Sequence, residues 1–416
     1  MATIAHGTKA PRQSGESVNL TPAQRRRAML DRKGYGEKRR LATAAPTKVF
    51  YGVMLCVTLL IAFGLMMVLS SSSIVAITSG GDPWNMFKRQ FLWATFGFFA
   101  LLAMYRMPYH HWHRYAKPFL YVSFGLMVLP FMPAIGVTTN GARAWVAFGA
   151  VRFQPSEVLK VAVLMFCASL LGRRRAEVVD WRRTFKPVLI VWLGAVGACL
   201  AQGDFGAAVV FTCIVFATLF IAGTPIRWLT FVLSISFVGA ITMIMSSSRM
   251  QNRMTAFLHL EENKGHYAYQ VWQSILSIAN GGLTGTGAGQ GTGKWGYVPL
   301  AHSDFIFAII AEEFGILGSV LVIGLFATLC YFGLQAAVRS RDAFGAILAG
   351  GTTAWLSAQA CINIGGVVGF LPVTGLTLPF ISYGGSSLIP AMAAVGVLLS
   401  IARTTAARRQ SSNEVE

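Results

Sequence analysis

Ten apolar blocks, each long enough to cross or nearly cross a lipid bilayer, dominate what this chain can become. They run near residues 48–70, 90–107, 118–136, 154–172, 187–202, 206–223, 228–247, 304–335, 343–368 and 387–403. A hydrocarbon core takes about 20 apolar helical residues to span, and in lipid every backbone N–H and C=O must be bonded within the protein. Only 12% of the 416 residues are charged, against 54% hydrophobic. That is too little charge to cover a soluble protein of this length. The sequence therefore predicts an all-α polytopic membrane protein with ten transmembrane helices. It excludes a soluble cytosolic enzyme, a disordered chain and a disulfide-rich module. The blocks ending and starting around Gln202–Gly206 are so close that they form a helical hairpin.

Charge sets the expected orientation. The chain carries 35 Lys+Arg against 16 Asp+Glu. With the N-terminus inside, 26 of the basic residues fall in the two tails and the even loops, and 8 in the odd loops. This bias fits the positive-inside rule with both termini cytoplasmic. Residues 1–47 form a basic tail, expected to be disordered, and 404–416 a cytoplasmic C-terminal tail around a membrane domain at 48–403. Basic residues clustered between apolar blocks point to membrane lipids as partners and to no nucleic acid. The six cysteines all lie within apolar blocks without CxxC spacing, so they read as buried hydrophobes. No cleavable signal peptide is expected ahead of the first block.

One large loop, 248–303, faces outward on this topology, between spans 7 and 8. It is expected to hold amphipathic helices on the outer face. A turn-rich lid would follow, built from the glycine run Gly281, Gly282, Gly285, Gly287, Gly289, Gly291, Gly293 and Gly296.

Charges inside spans are costly and therefore informative. Glu157 and Lys160 are one helical turn apart in Gln154-Pro155-Ser156-Glu157-Val158-Leu159-Lys160. They suit a structural ion pair, or a cation beneath a polar cavity that meets an anionic substrate. Asp304 stands where the long loop enters the eighth span, after His302 and Ser303. It suits either a general base with a raised pKa or an N-cap. Glu312 and Glu313 lie ~12–14 Å deeper and turned about 80° and 180° from Asp304. One is expected to line a cavity or pair with Lys160, the other to pack against a polar neighbour. Arg143, in Asn140-Gly141-Ala142-Arg143-Ala144-Trp145, suits a pyrophosphate or interfacial anchoring. The segment Gly375–Ser387 carries glycines and hydroxyls, Ser382, Ser386 and Ser387 among them, able to donate to phosphate near a helix N-terminus.

Together NGARAW, QPSEVLK, AHSDFIFAIIAEE and GLTLPFISYGGSS, in this order across residues ~48–403, resemble the SEDS (shape, elongation, division and sporulation) family of bacterial cell-wall proteins. With Gly296-Tyr297-Val298-Pro299, the last stretch looks closer to the division member than to the elongation or sporulation members. The resemblance implies a ten-span peptidoglycan glycosyltransferase of the inner membrane, acting at the division septum. It would polymerise lipid II into glycan strands and release undecaprenyl pyrophosphate. A class B penicillin-binding protein and other divisome membrane proteins would be its partners. Asp304 matches the family's catalytic aspartate, and Glu157 and Lys160 its intramembrane pair. The substrate-binding set so implied is Arg143, Gln154, Glu157, Lys160, Arg253, His302, Ser303, Glu312, Ser382, Ser386 and Ser387. A divalent cation, Mg or Mn, is compatible with that chemistry, and no other cofactor is implied. The rival readings are a lipid II flippase and a non-catalytic scaffold that activates the penicillin-binding partner. Gln202-Gly203-Asp204-Phe205-Gly206 departs from the family's Q-P-D-L-G, and residues 258–265 lack its proline-containing pattern.

Overall fold

The computed structural model describes residues 47–78, 80–139, 141–149 and 151–413, without the side chains of Val75, Thr78 and 404–413. The expected basic tail (save Thr47), Asn140 and the last three residues lie outside the described residues.

Helices occur at all ten expected positions: α1 Lys48–Thr78, α2 Asn85–Arg106, α3 Trp112–Leu126, α4 Pro155–Arg173, α5 Lys186–Gln202, α6 Phe205–Ile221, α7 Ile226–Ser246, α10 Ile306–Val338, α11 Ala343–Val367 and α12 Gly385–Asn413. Two more, α8 Ser248–Leu258 and α9 Tyr269–Gly281, lie in the long loop, as the amphipathic reading expected. Six segments, α1, α4, α7, α10, the stretch Trp181–Gln202 and Gly385–Arg403, are each long and apolar enough to cross a membrane. Asn85–Arg106 and Tyr109–Phe131, bent by 90°, would together make a seventh, and α6 is shorter. The protein is thus a multi-pass helical membrane protein.

Two stretches differ from the sequence expectation. The sequence extends the third block over 118–136, but α3 ends at Leu126 and a short 3-10 turn follows at Leu129–Phe131. Pro130, Pro133 and Gly136 break the helical run. The chain then makes a small antiparallel sheet, β1 Gly136–Thr139, β2 Ala142–Phe148 and β3 Val151–Phe153, in the order β1-β2-β3. The all-α class holds for the body and yields here to a meander. The alternation within Ala142–Phe148 marks it: Ala144 and Val146 are buried, while Arg143, Trp145 and Ala147 between and beside them are more exposed.

The core is organised around α4. Of its apolar window 83% is buried, against 11% for α7. α4 packs on α3, α6 and α11, while α10 packs on α1, α9 and α11, and α12 lies along α2. Glu157 and Lys160, the buried charged side chains of α4, are therefore enclosed by protein.

The glycine run does not form a detached lid. α10 is broken at Gly315 (φ 64°, ψ −157°), and the run is hydrogen-bonded into the break. Ile316 N–H and Leu317 N–H, which would donate to Glu312 and Glu313 carbonyls in an unbroken helix, donate instead to Gly282 and Leu283 carbonyls. The released carbonyls accept from Thr286 N–H (2.9 Å) and Gly287 N–H (3.1 Å). All four backbone groups are satisfied, as broken backbone at membrane depth requires. Glycine is needed for this approach. A Cβ on Gly281 would overlap the Ala311 carbonyl, and one on Gly285 (φ 85°) the Glu313 carbonyl.

Candidate functional site at the mouth of α10

Asp304 sits one residue before the N-cap of α10, Phe305, so the N-cap alternative does not apply to it. Its main chain is held from two sides. Asn363 on α11 donates through Nδ2 to the Asp304 carbonyl at 2.8 Å and to the Leu376 carbonyl at 2.7 Å. Ser382 donates to the Ser303 carbonyl at 2.6 Å and accepts from Leu378 N–H, and Tyr383 N–H donates to the His302 carbonyl. Gln90 of α2 clamps the same loop, donating to the Ser382 carbonyl and accepting from Gly384 N–H. Leu300 and Phe380, at φ 56° and 67°, are left-handed without being glycine, so strain is stored in both segments that carry the site. Ser387 is spent on the Gly384 carbonyl and Thr377. Ser386 stands part-exposed at the start of α12.

Arg253, on α8, is the cation beside Asp304, and its Nη1 donates to the Thr374 carbonyl at 3.4 Å. Burial pushes the Asp304 carboxyl up to about 6, against the opposite pull of Arg253 and a hydrogen bond from Ser303. Burial also lowers the His302 pKa, favouring its neutral form, and its ring stands edge-on to Tyr383. Arg249, one turn before Arg253, donates to the Gly141 and Gly203 carbonyls. It thereby ties α8 to the sheet turn and to the α5–α6 hairpin. Gly203 adopts φ 72°, a conformation closed to proline, so this turn as built has no place for a proline at that position. Asp204 caps α6 through Ala207 N–H and accepts from Gln154 Nε2 at 2.6 Å and Ser156 Oγ at 3.3 Å. Arg143 is exposed on β2, without an ion pair or hydrogen bond among the described residues.

A narrow cleft opens beside Asp304, lined by Phe305, Ile362, Asn363, Gly366, Val367 and Val373–Leu376. Among the described residues no three His, Cys, Asp or Glu side chains converge as a metal cage. The protein donors here do not by themselves fit a divalent ion.

Lys160 is fully buried and bonded to Glu157 at 2.8 Å and to Gln359 Oε1 at 3.3 Å. Gln359 in turn accepts from Trp355 and donates to the Thr377 carbonyl. The expected link from Lys160 to Glu312 or Glu313 does not form. Glu312 accepts from Thr292 N–H and Oγ1, Gly293 N–H and Asn280. Glu313 pairs with Lys294 at 2.7 Å and accepts from Ser70 and Gly289 N–H. Both carboxylates are buried and anchor the glycine run, so Glu312 does not join the Asp304 cleft. The residues missed from sequence are Gln90, Asp204, Arg249, Lys294, Gln359 and Asn363. Only the acid in the hairpin turn and the i,i+4 arginines of α8 left a local signal.

A family model described as cell cycle protein, covering FtsW, RodA and SpoVE, matches residues 51–407. The probable peptidoglycan glycosyltransferase FtsW of Coxiella burnetii is 39% identical over 360 residues, 85% of this chain and 96% of that protein. Stage V sporulation protein E of Bacillus subtilis is 37% identical over 347 residues, 83% of this chain and 94% of its own. A chain of a peptidoglycan synthase complex, solved to show how polymerization and crosslinking are coordinated, superposes with a TM-score of 0.72 at 27% identity. It covers 87% of this chain and 98% of its own. The rod shape determining protein RodA of Thermus thermophilus superposes at 0.63 and 27%, over 86% and 97%. With the match running through nearly the whole membrane body, the chain belongs to the FtsW/RodA/SpoVE family of cell cycle proteins.

Proposed function

We propose that this protein is a peptidoglycan glycosyltransferase that polymerises lipid II during cell division, with Asp304 as general base. The observation that carries the reading is a carboxyl raised to about 6, beside Arg253 and at the edge of a cleft. In the reaction a glucosaminyl 4-hydroxyl attacks the anomeric carbon of the lipid-linked sugar. The bond from that carbon to pyrophosphate breaks, its electron pair leaves with undecaprenyl pyrophosphate, and the hydroxyl proton passes to Asp304. A carboxylate of this basicity is ionised at neutral pH and still a better proton acceptor than an ordinary one. Arg253, with Arg249 one turn away, supplies positive charge where the pyrophosphate develops its own negative charge. Asn363 and Ser382 hold the Asp304 segment from both sides, which fixes the base before substrate arrives.

The flippase reading needs the deep charges to line a route across the bilayer. Glu157 with Lys160, and Glu313 with Lys294, are instead closed on each other within the packed body. The similarity to a chain of a synthase complex supports a class B penicillin-binding protein as partner, and with it a place at the division septum. Both termini are assigned to the cytoplasm on the charge bias, which puts Asp304 at the outer face where lipid II is used.

Asp304→Asn tests the reading. Purified with its penicillin-binding partner and given labelled lipid II, this variant is expected to fold and bind the partner normally. It should lose polymerisation by ~10²–10⁴-fold, the usual contribution of a general base. Near-normal glycan synthesis by the well-folded variant would remove Asp304 from the chemistry.

A further inference from the structure

Gln359, on α11, is buried, and both ends of its amide are used. Oε1 accepts from Trp355 Nε1 at 2.9 Å and from Lys160 Nζ at 3.3 Å. An indole N–H and an ammonium can only donate, so the amide oxygen must face them and the nitrogen must face away. Nε2 then donates to the Thr377 carbonyl at 3.0 Å. One helical turn further on, Asn363 donates to the Leu376 carbonyl, and Leu378 N–H donates to Ser382 Oγ. Three consecutive residues of the loop, Leu376, Thr377 and Leu378, are thus each held by a side chain. Lys160 is already bonded to Glu157 at 2.8 Å, so closing that pair does not call for a glutamine. What the glutamine adds is the bond to the loop.

The near end of the same loop carries the two charges of the site. The Thr374 carbonyl accepts from Arg253 Nη1. Gly375 follows at φ 77°, and a Cβ there would lie 3.7 Å from Asp304 Oδ2 and 3.9 Å from Arg253 Nη2. The carboxylate and the guanidinium therefore abut one stretch of backbone. Among the described residues no ion pair joins them directly, so the loop is the spacer between them. Asn363 anchors the loop and the Asp304 carbonyl alike. Gln359 anchors the loop alone, and through Lys160 it reaches the packed body of α4. We propose that Gln359 is a positioning residue: held by Lys160 and Trp355, it fixes the Thr374–Leu378 loop through the Thr377 carbonyl and so sets the spacing of Asp304 and Arg253. The buried Glu157–Lys160 pair is then the far anchor of that spacing.

The consequence for catalysis rests on the proposed base, so the test reads the Asp304 carboxyl itself. Arg253 is the charge that pulls this carboxyl down, with a hydrogen bond from Ser303, while Arg249 and Asp204 act in turn on Arg253. In full-length protein in nanodiscs, the infrared C=O band of protonated Asp304, assigned by its loss in Asp304→Asn, is followed against pH. Arg253→Gln should raise the midpoint by ~1 pH unit or more, the usual effect of losing a nearby cation. Gln359→Met, similar in length but without either polar end, should raise it in the same direction by less, and the rising limb of polymerisation should move with it. In the Arg253→Gln background Gln359→Met should add nothing, because its effect runs through Arg253. A role confined to packing would lower the folded yield and leave the midpoint in place. Gln359→Glu keeps an oxygen for Trp355 and Lys160 and loses the N–H toward Thr377; it is read the same way if the methionine protein does not fold. An unmoved midpoint in either single variant, or an equal Gln359 effect with and without Arg253, overturns the inference. Normal polymerisation by Asp304→Asn, alongside a Gln359-dependent midpoint, overturns the base and leaves the positioning role standing.

Discussion

Asp304 is where burial and charge oppose each other, and its pH dependence follows from that contest. Its carboxyl is raised to about 6 by burial and pulled down by Arg253. Polymerisation is therefore expected to rise with pH through about 6 and level off above it. Arg253→Gln removes the cation that favours the carboxylate, so the rising limb should move to higher pH as well as lower the plateau. A pH-rate profile in which Arg253→Gln leaves the limb in place would show that the two groups are uncoupled. The sign for stability is opposite. A folded pKa above the unfolded value of about 3.9 means that ionisation opposes folding, with no cost below about pH 4 and the full cost above about pH 6. Asp304→Asn should thus melt higher than wild type at pH 7.5 and lose that advantage at pH 4, as followed by heating and fluorescence-detected gel filtration. The Glu157–Lys160 pair makes a second residue-scale case. Removing either partner leaves an uncompensated buried charge, typically ~3–5 kcal/mol destabilising. The double alanine variant is expected to lose much less than the sum of the singles, and strictly additive melting shifts would deny the pairing. The pair was legible because i and i+3 share a helix face; Gln359, which completes it from α11, was not. Its sequence position lies 199 residues from Lys160, and nothing local marks a glutamine as the partner of a distant lysine.

At the scale of elements, the break in α10 and the glycine run define each other. Gly315 opens four backbone groups, and residues 282–287 close them. Glu312 and Glu313 then fasten the rest of the run through Thr292, Gly293, Gly289 and Lys294. Gly285→Ala must meet both the Glu313 carbonyl and a left-handed φ. Gly289→Ala meets only the φ of 78°, since no atom lies within 4 Å of its Cβ position. The second change should cost about 1–2 kcal/mol, the usual penalty for an L-residue in that region, and the first clearly more. Comparable melting points for the two variants would argue against backbone contact at Gly285. From sequence the glycine run was visible as a turn-rich segment and the two glutamates as functional charges. That each explains the other was not visible, because 3.6-residue periodicity continues through Gly315 and places both carboxylates as though the helix were whole. The third block, 118–136, overruns its helix because an apolar stretch of this length satisfies a span template until its prolines are weighed against its hydropathy. The sheet that follows reads from sequence only as a loop with a turn at Asn140-Gly141, since its strands are short.

For the whole molecule, the legible part of the fold was set by length and apolarity. Helices follow those two quantities wherever the backbone must bond to itself, and all ten expected positions carry one. The site was legible only where its residues are close in sequence. The remainder comes from α2, α8, α11 and the 371–384 loop converging on one end of the bundle, a tertiary event that periodicity does not encode. That convergence also gives the orientation a chemical stake, since Asp304 can meet outer-leaflet substrate only if its end of the bundle faces out. The charge bias predicts that it does. In a cysteine-free background, Lys264→Cys reports the Asp304 side, lying in the loop between α8 and α9. Arg175→Cys reports the opposite side, lying just past α4, and both positions are exposed. A membrane-impermeant maleimide on intact cells (with the outer envelope opened) should label Lys264→Cys at once and Arg175→Cys only after lysis. The reverse pattern would place Asp304 in the cytoplasm, where the pyrophosphate-linked sugar would have to be polymerised before export. It would therefore remove the extracellular polymerase reading even if Asp304 were still required for growth.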